Sequence, residues 1–194
     1  MKAPLPPRAG AALSAAQHKA ALWTDATLNV YAVIMGSRVV GLPARLSLAE
    51  STPPGLEAHC LRAGALSATE QAAAAYLVRL RPESPFTDWL LDEAAAGHGD
   101  WGVLASSKLG TIGMRSHARG LCQAQTATGE AIKLDWMDPS VLRLLLPQAP
   151  PEQLRQIFEP LDSLAIIEAT RWSHFRLSQG RLQTEAVDVM AAPA

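Results

Sequence analysis

Cysteine is scarce in this chain: of 194 residues only Cys60 and Cys122 carry a thiol, far apart and outside any CxxC spacing. A disulfide-framed secreted miniprotein and a cysteine-built zinc site are thereby excluded, and reduced thiols are the expectation. Charge of one sign is also missing. Lys plus Arg number 17 against 18 Asp plus Glu, a net charge of -1, which leaves no basic field to hold nucleic acid. Long hydrophobic runs are absent too. The longest uncharged stretch, Ala26 to Ser37, contains Asn29 and falls well short of the ~20 apolar residues that span a bilayer. Pro4, Pro6, Pro7 and Arg8 interrupt the place where a signal peptide needs an apolar core, so residues 1–16 read as a flexible leader and the cytoplasm is the expected compartment.

Motifs of chemistry are equally sparse. His18, His59, His98, His117 and His174 never occur as HxH, HxxxH or HExxH, so no two share a ready metal face. Ser106 and Ser107 lack a GxSxG elbow, and Ser107-Lys108 lacks the upstream glycines of a phosphate-binding loop. No cofactor motif is present. The nearest approach to an acid–base pair is His98-Gly-Asp100, in a glycine turn; Asp88 and Asp92 stand one helical turn apart, as solvated acids commonly do.

What is present is a framework of 48% hydrophobic residues, enough for a real core. Asn29 to Met35, Tyr76 to Leu80 and Trp101 to Ser106 are nearly continuous apolar runs, the pattern of strands covered on both faces. His59 to Arg62, Leu164 to Glu168 and Phe175 to Leu177 read as weaker strands, with Gln179-Gly180 as a turn and no pattern after Asp188. Helices are expected at Ser14 to Trp23, from Gly41, after Ser67 with Glu70 completing a capping box, and over Phe86 to Glu93. Others are expected from Lys108 to Gln123, from Asp138-Pro139 to Leu146, and from Pro150 to Phe158, with a hairpin around Thr128-Gly129 between the first two. The predicted fold is a mixed α/β (α+β) domain over residues 17–190. It has a mixed sheet flanked by short helices in an N-terminal part (17–136), a helical C-terminal lobe (138–160) and a terminal hairpin (164–187).

An ordered series of blocks carries a family resemblance. It comprises Tyr31-Ala-Val-Ile-Met-Gly36, Ala75-Tyr-Leu-Val-Arg-Leu80, Phe86-Thr-Asp-Trp-Leu90, Trp101-Gly-Val-Leu104, Asp138-Pro-Ser-Val-Leu-Arg143, Leu146-Pro147, Glu152-Gln-Leu154 and Ile157-Phe-Glu-Pro160. In order and spacing these resemble the type VI secretion effector chaperones, or adaptors, of domain of unknown function family 4123. The chain departs from that family's pattern at Met35, Asp135, Ser140 and Glu159. The resemblance implies a non-enzymatic, cytoplasmic protein that binds a toxin effector, through the effector's N-terminal region, and helps load it onto the spike of valine-glycine repeat and PAAR-type proteins. The charge balance and the lack of a long apolar run lead to the expectation of no nucleic acid and no membrane as partner.

In that setting Trp101 and Trp136 are the candidate apolar anchors for the client, and Asp135, Asp138 and Arg143 the candidate polar rim. Tyr31, Tyr76, Trp89, Gly102 and Pro139 are expected to be structural members of the family motif. The competing expectation, from another class, is a small hydrolase or nuclease built on His98 and Asp100.

Overall fold

The computed structural model describes residues 13–53, 55–121, 124–125, 131–132 and 137–190. Its strands are β1 (Leu13–Ser14), β2 (Asn29–Met35), β3 (Glu57–Cys60), β4 (Ala75–Arg79), β5 (Gly102–Ser107), β6 (Ala124–Gln125), β7 (Ala131–Ile132), β8 (Ser163–Ile167), β9 (Arg171–Ser178) and β10 (Arg181–Met190). The helices are α1 (Ala15–Leu22), α2 (Leu42–Ser51), α3 (Ala68–Ala73), α4 (Pro85–Trp89), α5 (Ala95–Gly97), α6 (Thr111–Leu121), α7 (Pro139–Leu145) and α8 (Pro151–Phe158). A π-helical turn, Leu90–Ala94, joins α4 to α5, and a 3-10 turn, Leu146–Gln148, follows α7.

One sheet organises the molecule, in the order β1-β10-β9-β8-β5-β2-β4-β3. Every neighbouring pair from β10 to β3 is antiparallel; the two-residue β1 alone runs parallel, Leu13 beside Val189 and Ser14 beside Met190. The fold is therefore mixed α+β, with β6 and β7 forming a separate small ladder.

The apolar runs are continuous because both faces of the central strands are covered. Along β2, Val30, Ala32 and Ile34 enter one core, while Tyr31, Val33 and Met35 enter the other. The first core is closed by Leu42 and Leu46 of α2, by Phe86 of α4 and by Leu90, Leu91 and Ala94 of the π turn. The second is closed by Met114 and Ala118 of α6, Leu142 of α7, and Leu154, Ile157 and Phe158 of α8. The helical portion expected at 138–160 thus packs on the second face of the common sheet.

Local chemistry fixes the helix ends. Ser67 caps α3 and Glu70 returns a bond to the Ser67 amide, completing the capping box. Asp138 caps α7 by accepting from the Ser140 amide at 2.8 Å, with Pro139 at the first helical position. Across the first helical layer, Lys19 of α1 pairs with Asp88 of α4, and the Arg45 guanidinium of α2 lies 4.0 Å over the Trp89 ring.

Three expectations need correction. The helix at Phe86 to Glu93 is not α throughout, because it widens into a π turn from Leu90 and presents Leu90, Leu91 and Ala94 together to the core. The terminal hairpin expected over 164–187 runs past its expected end, its second arm β10 reaching from Arg181 to Met190. Its last residues escape hydrophobic patterning because, among the described residues, β10 is flanked along its length by β9 alone and by β1 only at Val189 and Met190. The leader assigned to residues 1–16 overlaps β1 and the start of α1. No helix among the described residues is long and apolar enough to cross a membrane.

Candidate functional site

Two of the residues nominated from sequence, Trp101 and Arg143, lie at one end of the sheet, where β5 starts and β8 ends. Trp101 leads into β5, its carbonyl accepting from the Met35 amide at 2.8 Å. Its side chain is 0% exposed in the first core. Trp101 is therefore a core residue, which corrects its candidacy as a client anchor: a side chain with no accessible surface has none to offer a partner. Asp138 is occupied as the α7 cap. Trp136 and Asp135 lie outside the described residues.

Arg143 does more than decorate α7. Its guanidinium spans two carboxylates, Asp100 at 2.5 Å and Glu168 at 2.8 Å, tying α7 to the turn before β5 and to the turn after β8. Asp100 adopts a left-handed backbone, φ 53°, a conformation that Asp tolerates better than most residues. All three side chains are partly exposed, so the bracket is worth modest energy. Arg143→Ala is expected to cost about 1 kcal/mol in urea denaturation, and Arg143→Lys to recover only part of it because a single ammonium cannot fork to both acids.

Asp100 bears on the hydrolase expectation too. Its carboxylate is taken by Arg143, and no hydrogen bond or ion pair joins it to His98 among the described residues. Ser107 is fully buried, donating to the Pro160 carbonyl at 2.5 Å and accepting from the Leu109 amide at 3.1 Å. The family-motif residues occupy structural positions. The Tyr31 hydroxyl donates to the Leu109 carbonyl at 2.8 Å and the Tyr76 hydroxyl to the Gln71 carbonyl at 2.9 Å. Trp89 lies under Arg45, Pro139 is buried, and Gly102 backs directly onto Val33.

A different site was not singled out from sequence. Strand pairing sets His174 of β9 between Ala165 of β8 and Glu185 of β10, and Arg176 opposite Gln183. Since Ala165 belongs to the first core, these side chains stand on that face of the sheet. With Ser163, Phe175 and Thr184 they line a half-open cleft of about 260 Å³. Beside it, Trp172 is stacked on His18 of α1 at 4.8 Å between ring centroids, and lies 6.2 Å from His174. The His18 Nε2 is buried without a hydrogen-bond partner among the described residues.

The electrostatics of this cleft are unusual for its composition. Burial, reinforced by the charges of His18 and Arg176, pushes the His174 imidazole down to about 4. Burial also lowers His18. Arg176 is neutralised by Asp162 at 2.8 Å. Around neutral pH the cleft therefore holds uncharged imidazole, a satisfied guanidinium and the Glu185 carboxylate.

Acid should unfold the protein through these histidines. An unfolded His titrates near 6.5, so as pH falls the unfolded chain takes up protons before the folded one does. Stability is whole above pH 6.5 and declines toward pH 4, with His174 contributing up to about 3 kcal/mol of the loss. Urea midpoints measured between pH 7.5 and 4.5 should show this slope, and His174→Gln should flatten it; an unchanged slope would refute the assignment.

Comparison with known proteins adds one finding. Residues 30–156 match the family described as Domain of unknown function (DUF4123). The match covers more than half of the chain, and the chain belongs to this family. No curated protein and no solved structure matches it. The matched stretch holds β2 to β7 and most of the helices, and it ends inside α8, so the cleft on β8 to β10 falls wholly beyond it.

Proposed function

We propose that this protein is a cytoplasmic adaptor that binds one toxic effector of a type VI secretion system and helps load it onto the spike, without catalysing a reaction. The observation that carries the reading is membership of the DUF4123 family over residues 30–156, together with the ordered blocks from Tyr31 to Pro160 that resemble effector chaperones. Two features of the molecule support it. The acid nearest to His98 in sequence is committed to Arg143, and Ser106 and Ser107 are buried. An adaptor that must later release its client needs an interface of moderate affinity with a few well-placed contacts and a polar rim.

The test is co-expression with the toxin encoded beside its gene, followed by affinity capture. Co-purification of the toxin, with loss of its delivery when the adaptor is deleted, is the expected result. Failure of the two to co-purify, with toxin solubility and delivery unchanged by deletion, would overturn the reading.

A further inference from the structure

The two edges of the main sheet are finished differently. At the β3 edge the strand is only four residues long, and the carbonyls of Cys60, Leu61 and Arg62 at its end accept hydrogen bonds from Arg119 of α6 at 3.0–3.3 Å. The β10 edge is long and plain. It pairs with β9 over eight consecutive positions, Arg181–Ser178 to Asp188–Arg171, with no bulge and no proline. Among the described residues its outer side is taken only at Val189 and Met190, by β1. Natural proteins blunt such edges with bulges, prolines or short strands, because an open row of amides and carbonyls is a template for another strand. The seating of β1 shows that the row is set in pairing geometry.

The cleft supplies the specificity that an edge by itself lacks. Gln183, Glu185 and Val187 alternate along β10 on the cleft's face of the sheet. The Glu185 carboxylate is partly buried there and has no ion pair or hydrogen bond among the described residues. The guanidinium in the cleft is already bound by Asp162, and the imidazole opposite Glu185 carries no charge at neutral pH. Among the described residues the Glu185 carboxylate has no counter-charge. At about 260 Å³ the cleft is smaller than the ~300–1,000 Å³ typical of sites for whole small molecules, and it has room for one long side chain.

We propose that the β10 edge and this cleft form a single docking site for an extended segment of a partner polypeptide, which adds as a strand beside Arg181–Val187 and sets a lysine or arginine side chain against Glu185. The site rests on the adaptor reading only in naming the client as that partner. It lies beyond the family-matched residues, where a surface particular to this chain's own client belongs.

The site is tested on the full chain without any client, so its failure leaves the co-purification result standing. The probes are two nine-residue peptides of alternating threonine and valine, one with arginine at the centre and one with glutamate. Amide hydrogen exchange and titration read binding. The arginine peptide should protect amides within 181–187 and bind at least tenfold more tightly than the glutamate peptide. Glu185→Gln should abolish that preference and Glu185→Lys should reverse it. Equal binding of the two peptides, or no protection at millimolar peptide, would overturn the proposal. So would protection of the whole edge in the free chain: if independent of protein concentration it assigns the edge to another segment of the chain, and if it grows with concentration, to a second copy.

Discussion

Trp101→Ala should lower the free energy of unfolding by about 3–5 kcal/mol, the usual cost of hollowing a packed core at a large aromatic. The indole is fully enclosed by the first core, at the point where the chain enters β5. Its Nε1 is buried without a hydrogen-bond partner among the described residues, so part of the ring's apolar gain is already offset by an unsatisfied donor. Trp101→Phe removes that donor and leaves a smaller void, and should cost much less, about 1–2 kcal/mol. Urea denaturation of the two variants measures both figures. A variant with unchanged stability but weakened client binding would instead restore Trp101 as an anchor, and the placement of the side chain would be wrong.

The second large effect lies at the next residue. A Cβ at Gly102 would overlap the Val33 carbonyl oxygen and lie 3.0 Å from the Ile34 Cα. Both obstacles are backbone of β2, the strand paired with Gly102 itself, so neither can swing aside as a side chain would. Gly102→Ala must therefore separate β5 from β2, and it should destabilise by about 3 kcal/mol or more. In a chain of this size that is a fall in Tm of roughly 6–12 °C by calorimetry. A shift within about 2 °C would mean that the two central strands are looser than their packing indicates. Gly36→Ala meets the same kind of obstacle at the carbonyls of Ala72 and Ala74 and serves as an independent check at the same end of β2, on the side that pairs with β4.

The sequence made the centre of the fold readable and left its margin obscure. β2, β4 and β5 announce themselves because both of their faces are buried, so nearly every residue is apolar. The α3 and α7 starts are written in local chemistry, in Ser67 with Glu70 and in Asp138-Pro139. β10 stands at the margin of the sheet, with only the two-residue β1 beyond it among the described residues. The Gln179-Gly180 turn marks it as the second arm of a hairpin, but its mostly exposed residues leave its end at Met190 unmarked. Trp101 was ambiguous for a different reason: tryptophan suits cores and interfaces alike, and only three-dimensional packing separates them.

The cleft is assembled by pairing across the Gln179-Gly180 turn, which no ligand-spacing motif encodes. One signal was nonetheless available. Trp172, His174 and Arg176 fall at every second position before that turn, and Gln183, Glu185 and Val187 do so after it, so folding the chain there must set His174 beside Glu185. The stacking of His18 on Trp172 has no such signature, because it depends on how α1 lies across the sheet.

The strand order also governs how the protein must be made. β5, central in the sheet, has β8 as its outer neighbour, and the second core needs Leu154, Ile157, Phe158, Leu164, Ile166 and Phe175 to close. During synthesis from the N-terminus, β2, β4 and β5 therefore emerge long before the residues that cover them. Pairings of such wide sequence separation form slowly, and unpaired apolar strands invite aggregation while they wait. The nascent chain, until β8 and β9 have left the ribosome, is itself a candidate for chaperone protection.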